Sequence, residues 1–188
     1  MPTAITHAAV AVAANFAFSP RNTLRKFGFL ALFCSVIPDV DILGFFFGLP
    51  YGHFLAHRGF FHSPFFSLTL TLLIMVVFFR SLQIFSKGWL AYFLFFFLLS
   101  ITHGFLDGLT NGGLGVAFFA PFDSGRYFLP WTPILVSPIG IRSFFSRRGW
   151  EVIKSELVWV WLPSFFLAII GRWMCVAFRN HQEGTPNV

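Results

Sequence analysis

The chain has 188 residues, of which 56% are hydrophobic, 21% aromatic and 11% charged. A soluble domain carries about 25% charged residues, and the mean hydropathy of +0.75 indicates a protein that lies in a bilayer. The length suits one membrane-embedded domain, predicted over residues 1–180, and excludes a large second domain. The net charge of +6 comes from basic residues scattered between apolar runs. That pattern is typical of helix ends at lipid headgroups, so we expect membrane lipids and no nucleic acid as partners.

Five apolar segments predict an all-α fold, a polytopic membrane helical bundle. In chain order they cover about residues 3–18, 24–47, 64–79, 88–109 and 157–178. The first is short for a span of about 20 residues, and Pro38 interrupts the second. Ser63 before Pro64 predicts the start of the third helix, because serine caps a helix and proline suits its first position. Pro163 and Gly171 predict a kink in the fifth.

A long Gly-, Pro- and aromatic-rich segment, residues 110–156, separates the fourth and fifth apolar helices and is predicted as a loop. Connections of this length are often functional. Its aromatic content is too high for a solvated linker, so we expect it to fold back over the polar residues described next. Its aromatic residues include Phe118, Phe119, Phe122, Phe128, Trp131, Phe144 and Phe145. The polar tail, residues 181–188, is predicted to be disordered.

Seven ionisable side chains occur in four short blocks of this apolar sequence. They are His7, Asp39, Asp41, His57, His62, His103 and Asp107. Ionisable groups near membrane depth cost about 3 kcal/mol each, yet three of only four aspartates stand near histidines. If all five segments span, the alternation of crossings places all seven residues on one side of the membrane. A cation that several of them share is the simplest physical account.

Imidazole and carboxylate ligands indicate the kind of cation. His103 and Asp107 are spaced i, i+4, so they share one helix face, and Gly104 and Gly108 permit another helix to approach closely. This ligand chemistry suits zinc, and also manganese or iron. Seven candidates suffice for one or two divalent ions. A pair of ions bridged by a carboxylate can polarise a phosphoryl or acyl oxygen and generate hydroxide.

The order of these blocks carries a resemblance. His, then Pro-Asp-x-Asp, then His-Arg-Gly-x-x-His-Ser, then His-x-x-x-Asp resembles the YdjM-like inner-membrane metal-dependent hydrolases, which are also described as LexA-binding. The similarity covers about residues 5–165 and includes the run 109–115, the pair Arg126-Tyr127 and the run 136–140.

That family is itself similar to zinc-dependent phospholipase C in the order of its ligands. By this likeness His7 would bind one zinc, Asp39 or Asp41 with His57 and His103 would bind another, and Asp107 would bridge them. The phospholipase pattern continues with ligands for a third zinc. This chain has no histidine between 103 and 181, which speaks against a third ion and against transfer of the phospholipase activity.

Two functions stay open from the sequence. The first is a membrane-bound metal-dependent hydrolase that acts on a phospholipid or another lipid-linked phosphoester through metal-activated water. Its candidate catalytic residues are Asp39, Asp41, His62 and Arg126, and Arg126 or Arg142 would orient a phosphate. The alternative is a non-catalytic membrane protein with a structural metal site and an interaction or stress-response role. An open coordination position favours the enzyme, and a closed four-ligand site favours the scaffold.

Charge also predicts an orientation in the cytoplasmic (inner) membrane. The first short loop, with Arg21, Arg25 and Lys26, is the most basic and lies opposite the polar blocks. The first loops usually dominate orientation, with basic loops on the cytoplasmic side. We therefore expect the site on the extracytoplasmic side.

Overall fold

The computed structural model describes residues 1–18, 24–138 and 141–183. Arg21 and the pair 139–140 lie outside the described residues, and so does the side chain of Arg142, for which a role was predicted. Within the described part of the chain every regular element is helical, as predicted. Backbone pairing outside the helices is confined there to two isolated bridges, Thr110 with Ile134 and Val116 with Tyr127.

The helices follow the predicted segments closely. They are α1 (Ala4–Phe18), α2 (Leu24–Val36), α3 (Leu43–Phe46), α4 (Pro64–Phe78), α5 (Lys87–Gly108), α6 (Ile141–Phe144), α7 (Arg147–Glu156) and α8 (Leu162–Glu183). Short 3₁₀ turns cover Ile37–Ile42 and Phe60–His62, and a π-helical stretch, Leu157–Trp161, joins α7 to α8. The last helix thus ends at Glu183, and residues 184–188 of the predicted tail lie outside the described residues.

Three helical stretches are long and apolar enough to cross a membrane, namely Arg25–Phe46, Lys87–Gly108 and Arg147–Ala177. The other two apolar helices, α1 and α4, have 15 residues each. At a rise of about 1.5 Å per residue they are about 22 Å long, shorter than a hydrocarbon core of about 30 Å. The predicted bundle of five apolar helices is therefore confirmed, and three of the five reach spanning length.

Serine hydroxyls start two of the helices that carry or border the polar residues. Ser63 accepts a hydrogen bond from the backbone N–H of Phe66 at 3.1 Å, and Pro64 occupies the first helical position, as predicted. Ser86 caps α5 in the same way through the N–H of Trp89, at 3.2 Å. These caps satisfy backbone donors that a helix start leaves free, so they fix where each helix begins.

The C-terminal part of the segment predicted as a loop is helical. α7 begins after Ser146, whose hydroxyl accepts from Gly149, and it continues through the π-helical stretch into α8. The sequence placed the distortion at Pro163 and Gly171, whereas the helix widens in the turn just before Pro163. Proline has no N–H to donate back, and a π-helical turn accommodates the lost bond. Five charged residues make α7 polar, so a search for apolar runs missed it.

The loop between α5 and α6 returns to the end of the bundle where the polar residues lie. The N–H of Ala117 donates to the carbonyl of Arg58 at 2.9 Å, and the N–H of Leu129 donates to the carbonyl of Gly108 at 2.9 Å. α5 itself packs between α2 and α4, while α1 packs against α2 and α8. Residues 110–138 therefore cover the end of the bundle, as the aromatic content predicted.

Gly104 allows the Phe60–His62 turn to touch α5. A Cβ atom at position 104 would overlap the backbone carbonyl oxygen of His62. Because the overlap is with backbone, the turn would have to move as a unit. The sequence predicted that another helix approaches α5 here, whereas it is this short turn that makes the close contact at Gly104.

Gly104→Ala should destabilise the protein by about 1–3 kcal/mol, the usual cost of overpacking a tight contact. The matched control is Gly88→Ala in the same helix, where an added Cβ meets no atom within 4 Å. We expect thermal unfolding in detergent to show a lower midpoint for Gly104→Ala only. Equal midpoints for the two variants would contradict the packing described here.

Candidate metal centre

The seven predicted ligands converge at one end of the bundle. Ligand atoms of Asp39, His62, His103 and Asp107 lie within 4.8 Å of one another, and so do those of Asp39, Asp41, His57 and His62. His7 adjoins the first of these sets, with its Nε2 atom 3.7 Å from Asp107 Oδ1. The two sets share Asp39 and His62, so the cluster is continuous.

Four separate elements supply these side chains. His7 lies in α1, and the 3₁₀ turn Ile37–Ile42 presents both Asp39 and Asp41 because Pro38 interrupts the helical hydrogen bonding there. The connection before α4 carries His57 and His62. One face of α5 carries His103 and Asp107, one turn apart. Residues distant in sequence therefore meet because the tertiary fold brings these parts of the four elements to the same end of the bundle.

Four of the six ligand–ligand distances within the first set are close to those of tetrahedral coordination, and all six lie within 4.8 Å. His62 Nε2 lies 3.1 Å from His103 Nε2 and 3.2 Å from Asp107 Oδ2. Asp39 Oδ1 lies 3.4 Å from His103 Nε2 and 3.7 Å from His62 Nε2. Ligands about 2.0–2.1 Å from a zinc ion stand about 3.3–3.4 Å apart at the corners of a tetrahedron. We call these four residues the tetrahedral set.

A backbone contact fixes the tautomer of His103. Its Nδ1 atom lies 2.7 Å from the carbonyl oxygen of Ser35, which can only accept, so Nδ1 carries the hydrogen. The neutral ring then points the Nε2 lone pair at His62 and Asp39. The hydroxyl of Ser35 also donates to the carbonyl of His7 at 2.6 Å, which ties α1 to the same residue. Metal-binding histidines are commonly oriented by such a bond to the other ring nitrogen.

Several buried atoms of the cluster have no hydrogen-bond partner among the described residues. They are both ring nitrogens of His7, both carboxylate oxygens of Asp39 and of Asp107, and Nδ1 of His62. A buried polar atom without a partner costs about 1–3 kcal/mol. His7 and Asp107 have no exposed surface, so solvent does not relieve this cost. A cation bound among these residues would compensate both carboxylates.

The second set contains a hydrogen bond. His57 Nδ1 lies 2.9 Å from Asp41 Oδ1 in aligned geometry, and the backbone N–H of Arg58 donates to Asp41 Oδ2 at 3.2 Å. His62 Nδ1 also lies 3.0 Å from Asp41 Oδ2, without that alignment. Asp41 is thus engaged by its neighbours, whereas Asp39 and Asp107 are not.

His62 lies outside the helices of membrane-spanning length, and three carboxylates surround its ring. Burial opposes its charged form, but Asp107, Asp39 and Asp41 together raise its pKa well above the ordinary value. In the absence of a metal, a proton on His62 therefore provides part of the positive charge that three carboxylates require.

Arg126 lies at the edge of the cluster. Its two terminal nitrogens donate to the backbone carbonyls of His57, at 2.8 Å, and His53, at 3.0 Å. Its guanidinium also lies 5.9 Å from the centre of the Tyr51 ring. Arg126 thus fixes the turn that carries His57, and each terminal nitrogen keeps a second N–H for another acceptor.

Comparison with known proteins identifies the family. The profile described as YdjM inner membrane protein matches residues 1–181. Inner membrane protein YbcI of Escherichia coli (strain K12) is 36% identical over 173 residues, which cover 92% of this chain and 98% of that protein. The chain belongs to the YdjM inner membrane protein family. No solved structure matches it.

Membership of the YdjM family agrees with the helices described above. Three stretches of spanning length and a family of inner membrane proteins together place the chain in the inner membrane. The matched region contains all seven candidate ligands. The cluster is therefore the candidate metal centre of an inner membrane protein.

The sequence did not single out Arg58 as a site residue. This side chain has no exposed surface, and its Nε atom lies 3.4 Å from Asp107 Oδ2. Its terminal nitrogens donate to Thr110 Oγ1 at 2.7 Å and to the carbonyl of Gly112 at 2.8 Å. The position of Arg58 inside the His-Arg-Gly-x-x-His block could have indicated a role at the site. The general pattern of basic residues between apolar runs, however, predicts contact with lipid headgroups.

Glu156 was missed as well. Its carboxylate is fully buried and accepts bonds from the hydroxyls of Thr3 and Thr6, both at 2.7 Å, and from the N–H of Thr3 at 2.5 Å. Trp161 in turn donates to the Thr6 hydroxyl at 2.7 Å. This contact joins the first turn of α1 to the start of the α8 span, and it sets the position of His7 one residue after Thr6. A lone acid before an apolar run was its only signal.

Removal of a ligand from the tetrahedral set should remove the metal. We expect His103→Ala and Asp107→Ala each to lower metal affinity at least about 100-fold, since even second-shell changes cost about 10–100-fold. The matched control is His53→Ala, because the His53 ring is exposed and lies outside both sets. Elemental analysis of the detergent-purified variants measures this. Wild-type metal content in either ligand variant would refute the assignment.

Metal affinity should rise with pH. Because the pKa of His62 is raised, this ring holds its proton to higher pH than an ordinary imidazole, and that proton must leave before Nε2 can bind a cation. Below that pKa, affinity should fall about tenfold per pH unit, and above it the dependence should flatten. Competition with a chelator between pH 6 and 9 would measure the slope. An affinity independent of pH would contradict a protonated His62 in the metal-free protein.

Proposed function

We propose that this protein is a membrane-embedded metal-dependent hydrolase whose substrate is a phospholipid or another lipid-linked phosphoester. One observation carries the proposal. A preassembled set of two histidines and two aspartates has ligand atoms within 4.8 Å of one another, and its two carboxylates have no hydrogen-bond partner among the described residues. Such an arrangement is costly unless a cation binds there, and hydrolysis is the most general chemistry of His/Asp metal sites.

Zinc is the proposed cation, with manganese or iron as the other metals that this ligand set accepts. When bound, it would polarise a phosphoryl oxygen and lower the pKa of a water molecule towards neutrality. The residues prepare for this in different ways. His103 is oriented by Ser35, and His62 faces Asp39 and Asp107 through one ring nitrogen. Asp41 positions His57 and the His57–Arg58 turn.

Asp39 marks the accessible side of the centre. The Asp39 side chain is 9% exposed, although both of its carboxylate oxygens are buried, whereas the side chains of His62, His103 and Asp107 have no exposed surface. A substrate would therefore approach from the Asp39 side, where a water that enters with it could transfer a proton to this carboxylate. The neighbouring Val40 and Leu43 are half exposed and apolar, and such a surface suits acyl chains better than water. This supports an amphiphilic substrate that comes from the bilayer.

Arg126 is the proposed phosphate-orienting group. It binds the turn that carries His57 and retains N–H groups beyond those that donate to the turn carbonyls. A planar guanidinium with a second N–H on each terminal nitrogen matches the geometry of a phosphate. We further propose that the centre faces the extracytoplasmic side, because Arg25 and Lys26 occupy the opposite end of the bundle.

The complete burial of three tetrahedral ligands supports a second candidate function, a metal that only fixes the bundle. In that case the four ligands would close the coordination sphere, and the protein would have an interaction or stress-response role without catalysis. The two candidates differ in whether metal-loaded protein turns over any phosphoester. They predict the same loss of metal on ligand substitution, so activity decides between them.

Arg126→Lys should separate turnover from metal binding. Lysine keeps the charge but lacks the planar fork, so we expect at least about a tenfold fall in kcat/KM with metal content near one wild-type equivalent. The assay uses metal-loaded protein in nanodiscs and a panel of lipid phosphoesters, with release of headgroup or phosphate as the readout. His103→Ala serves as the inactive reference. Metal-loaded wild-type protein that hydrolyses no member of the panel would favour the structural role.

A further inference from the structure

At the metal centre the buried negative charges outnumber the buried positive charges. Asp39, Asp41 and Asp107 supply three carboxylates, and the guanidinium of Arg58 is the cation that touches them, through Asp107 Oδ2. The histidines must be neutral to bind a metal. Among the described groups in mutual contact, two negative charges therefore stay uncompensated, which is the charge of one divalent cation. Glu156 belongs to a separate cluster, where Thr3 and Thr6 satisfy its carboxylate.

Arg58 cannot move away from this position easily. Its guanidinium is held at both terminal nitrogens, by Thr110 and by the carbonyl of Gly112. Its own backbone has a φ of 64°, in the left-handed region, where a non-glycine residue needs support from its surroundings. That support is visible, since its N–H donates to Asp41 and its carbonyl accepts from Ala117. The charge beside Asp107 is therefore a fixed part of the fold.

We infer that the centre takes one divalent cation, in the tetrahedral set, and that the guanidinium of Arg58 supplies the positive charge beside Asp107 that a second cation would otherwise supply. The inference rests on the proposed metal-dependent function and specifies its stoichiometry. A second ion would reverse the net charge of a site that has almost no contact with solvent, and uncompensated buried charge is strongly unfavourable.

Distances within the second set support the same conclusion. His57 Nδ1 and Asp41 Oδ1 are 2.9 Å apart and hydrogen-bonded, closer than two ligands of one tetrahedral ion. Asp41 also accepts from the backbone of Arg58. Its oxygens are thus committed to protein donors. In the tetrahedral set, by contrast, Asp39 and Asp107 have no hydrogen-bond partner among the described residues. Asp41 and His57 are then positioning residues and not ligands of a second ion.

Stoichiometry tests the inference directly. Full-length protein in nanodiscs is saturated with zinc, freed of excess metal by gel filtration, and analysed for zinc per chain. We expect one equivalent in the wild type and, under saturating zinc, one equivalent in Asp41→Asn and His57→Ala at lower affinity. Two equivalents in the wild type, falling to one in Asp41→Asn, would overturn the inference and leave the proposed hydrolase intact. No bound zinc would overturn both.

A charge-matched pair of variants tests the role of Arg58. Asp107→Asn should weaken zinc binding at least tenfold, because it leaves a single uncompensated negative charge. Adding Arg58→Gln restores the two negative charges, so the double variant should recover at least threefold of that loss. If Arg58 served packing alone, the second substitution would weaken binding further, and that result would overturn its role as the built-in cation. Monodisperse gel filtration and the thermal midpoint verify folding, and if the double variant does not fold, the zinc stoichiometry of the wild type decides.

Discussion

The contact of Asp107 with Arg58 and His62 is the interaction on which the rest of the structure depends. A carboxylate with no exposed surface lies at the end of an apolar helix, 3.2 Å from one partner and 3.4 Å from the other. Leaving such a charge unpaired would cost several kcal/mol. The surrounding fold places positively charged groups next to this carboxylate.

Local features that look unrelated serve this one requirement. Gly104 lets the turn that carries His62 touch α5, and the left-handed backbone of Arg58 turns its guanidinium towards Asp107. Residues 110–138 then close over the end of the bundle through bonds to Arg58 and Gly108. A change at any of these points would alter the charge balance of the centre as well as packing, which is why their substitution is expected to affect metal content.

The sequence predicted the helices and the candidate ligands because both have local signals. An i, i+4 pair such as His103 and Asp107 can be recognised without a structure, and Pro38 predicts an interruption of the helix beside Asp39. The functions of Arg58 and Glu156 could not be inferred this way. Each is a single charged residue at the border of an apolar run, and only the tertiary fold shows that both are buried and hydrogen-bonded. α7 was missed for a related reason. Its charged residues leave no apolar run to recognise, although the helix is continuous with the membrane span.

Asp39 is the residue of the tetrahedral set that lies nearest to the apolar surface of the protein. The helices expose extensive apolar surface, as expected of a YdjM-family inner membrane protein, and the polar cluster has its accessible side beside apolar residues of the α2–α3 region. Under the proposed function, a centre so placed would give a lipid-linked phosphoester better access than a water-soluble one, whichever headgroup it carries.

The most direct test of the central claim is X-ray absorption spectroscopy at the zinc edge on zinc-loaded wild-type protein. Coordination by the tetrahedral set predicts a first shell of nitrogen and oxygen at about 2.0–2.1 Å, with the outer-shell scattering of two imidazole rings. A shell of oxygen alone, without imidazole scattering, or one containing sulfur from Cys34 or Cys175, would contradict the account.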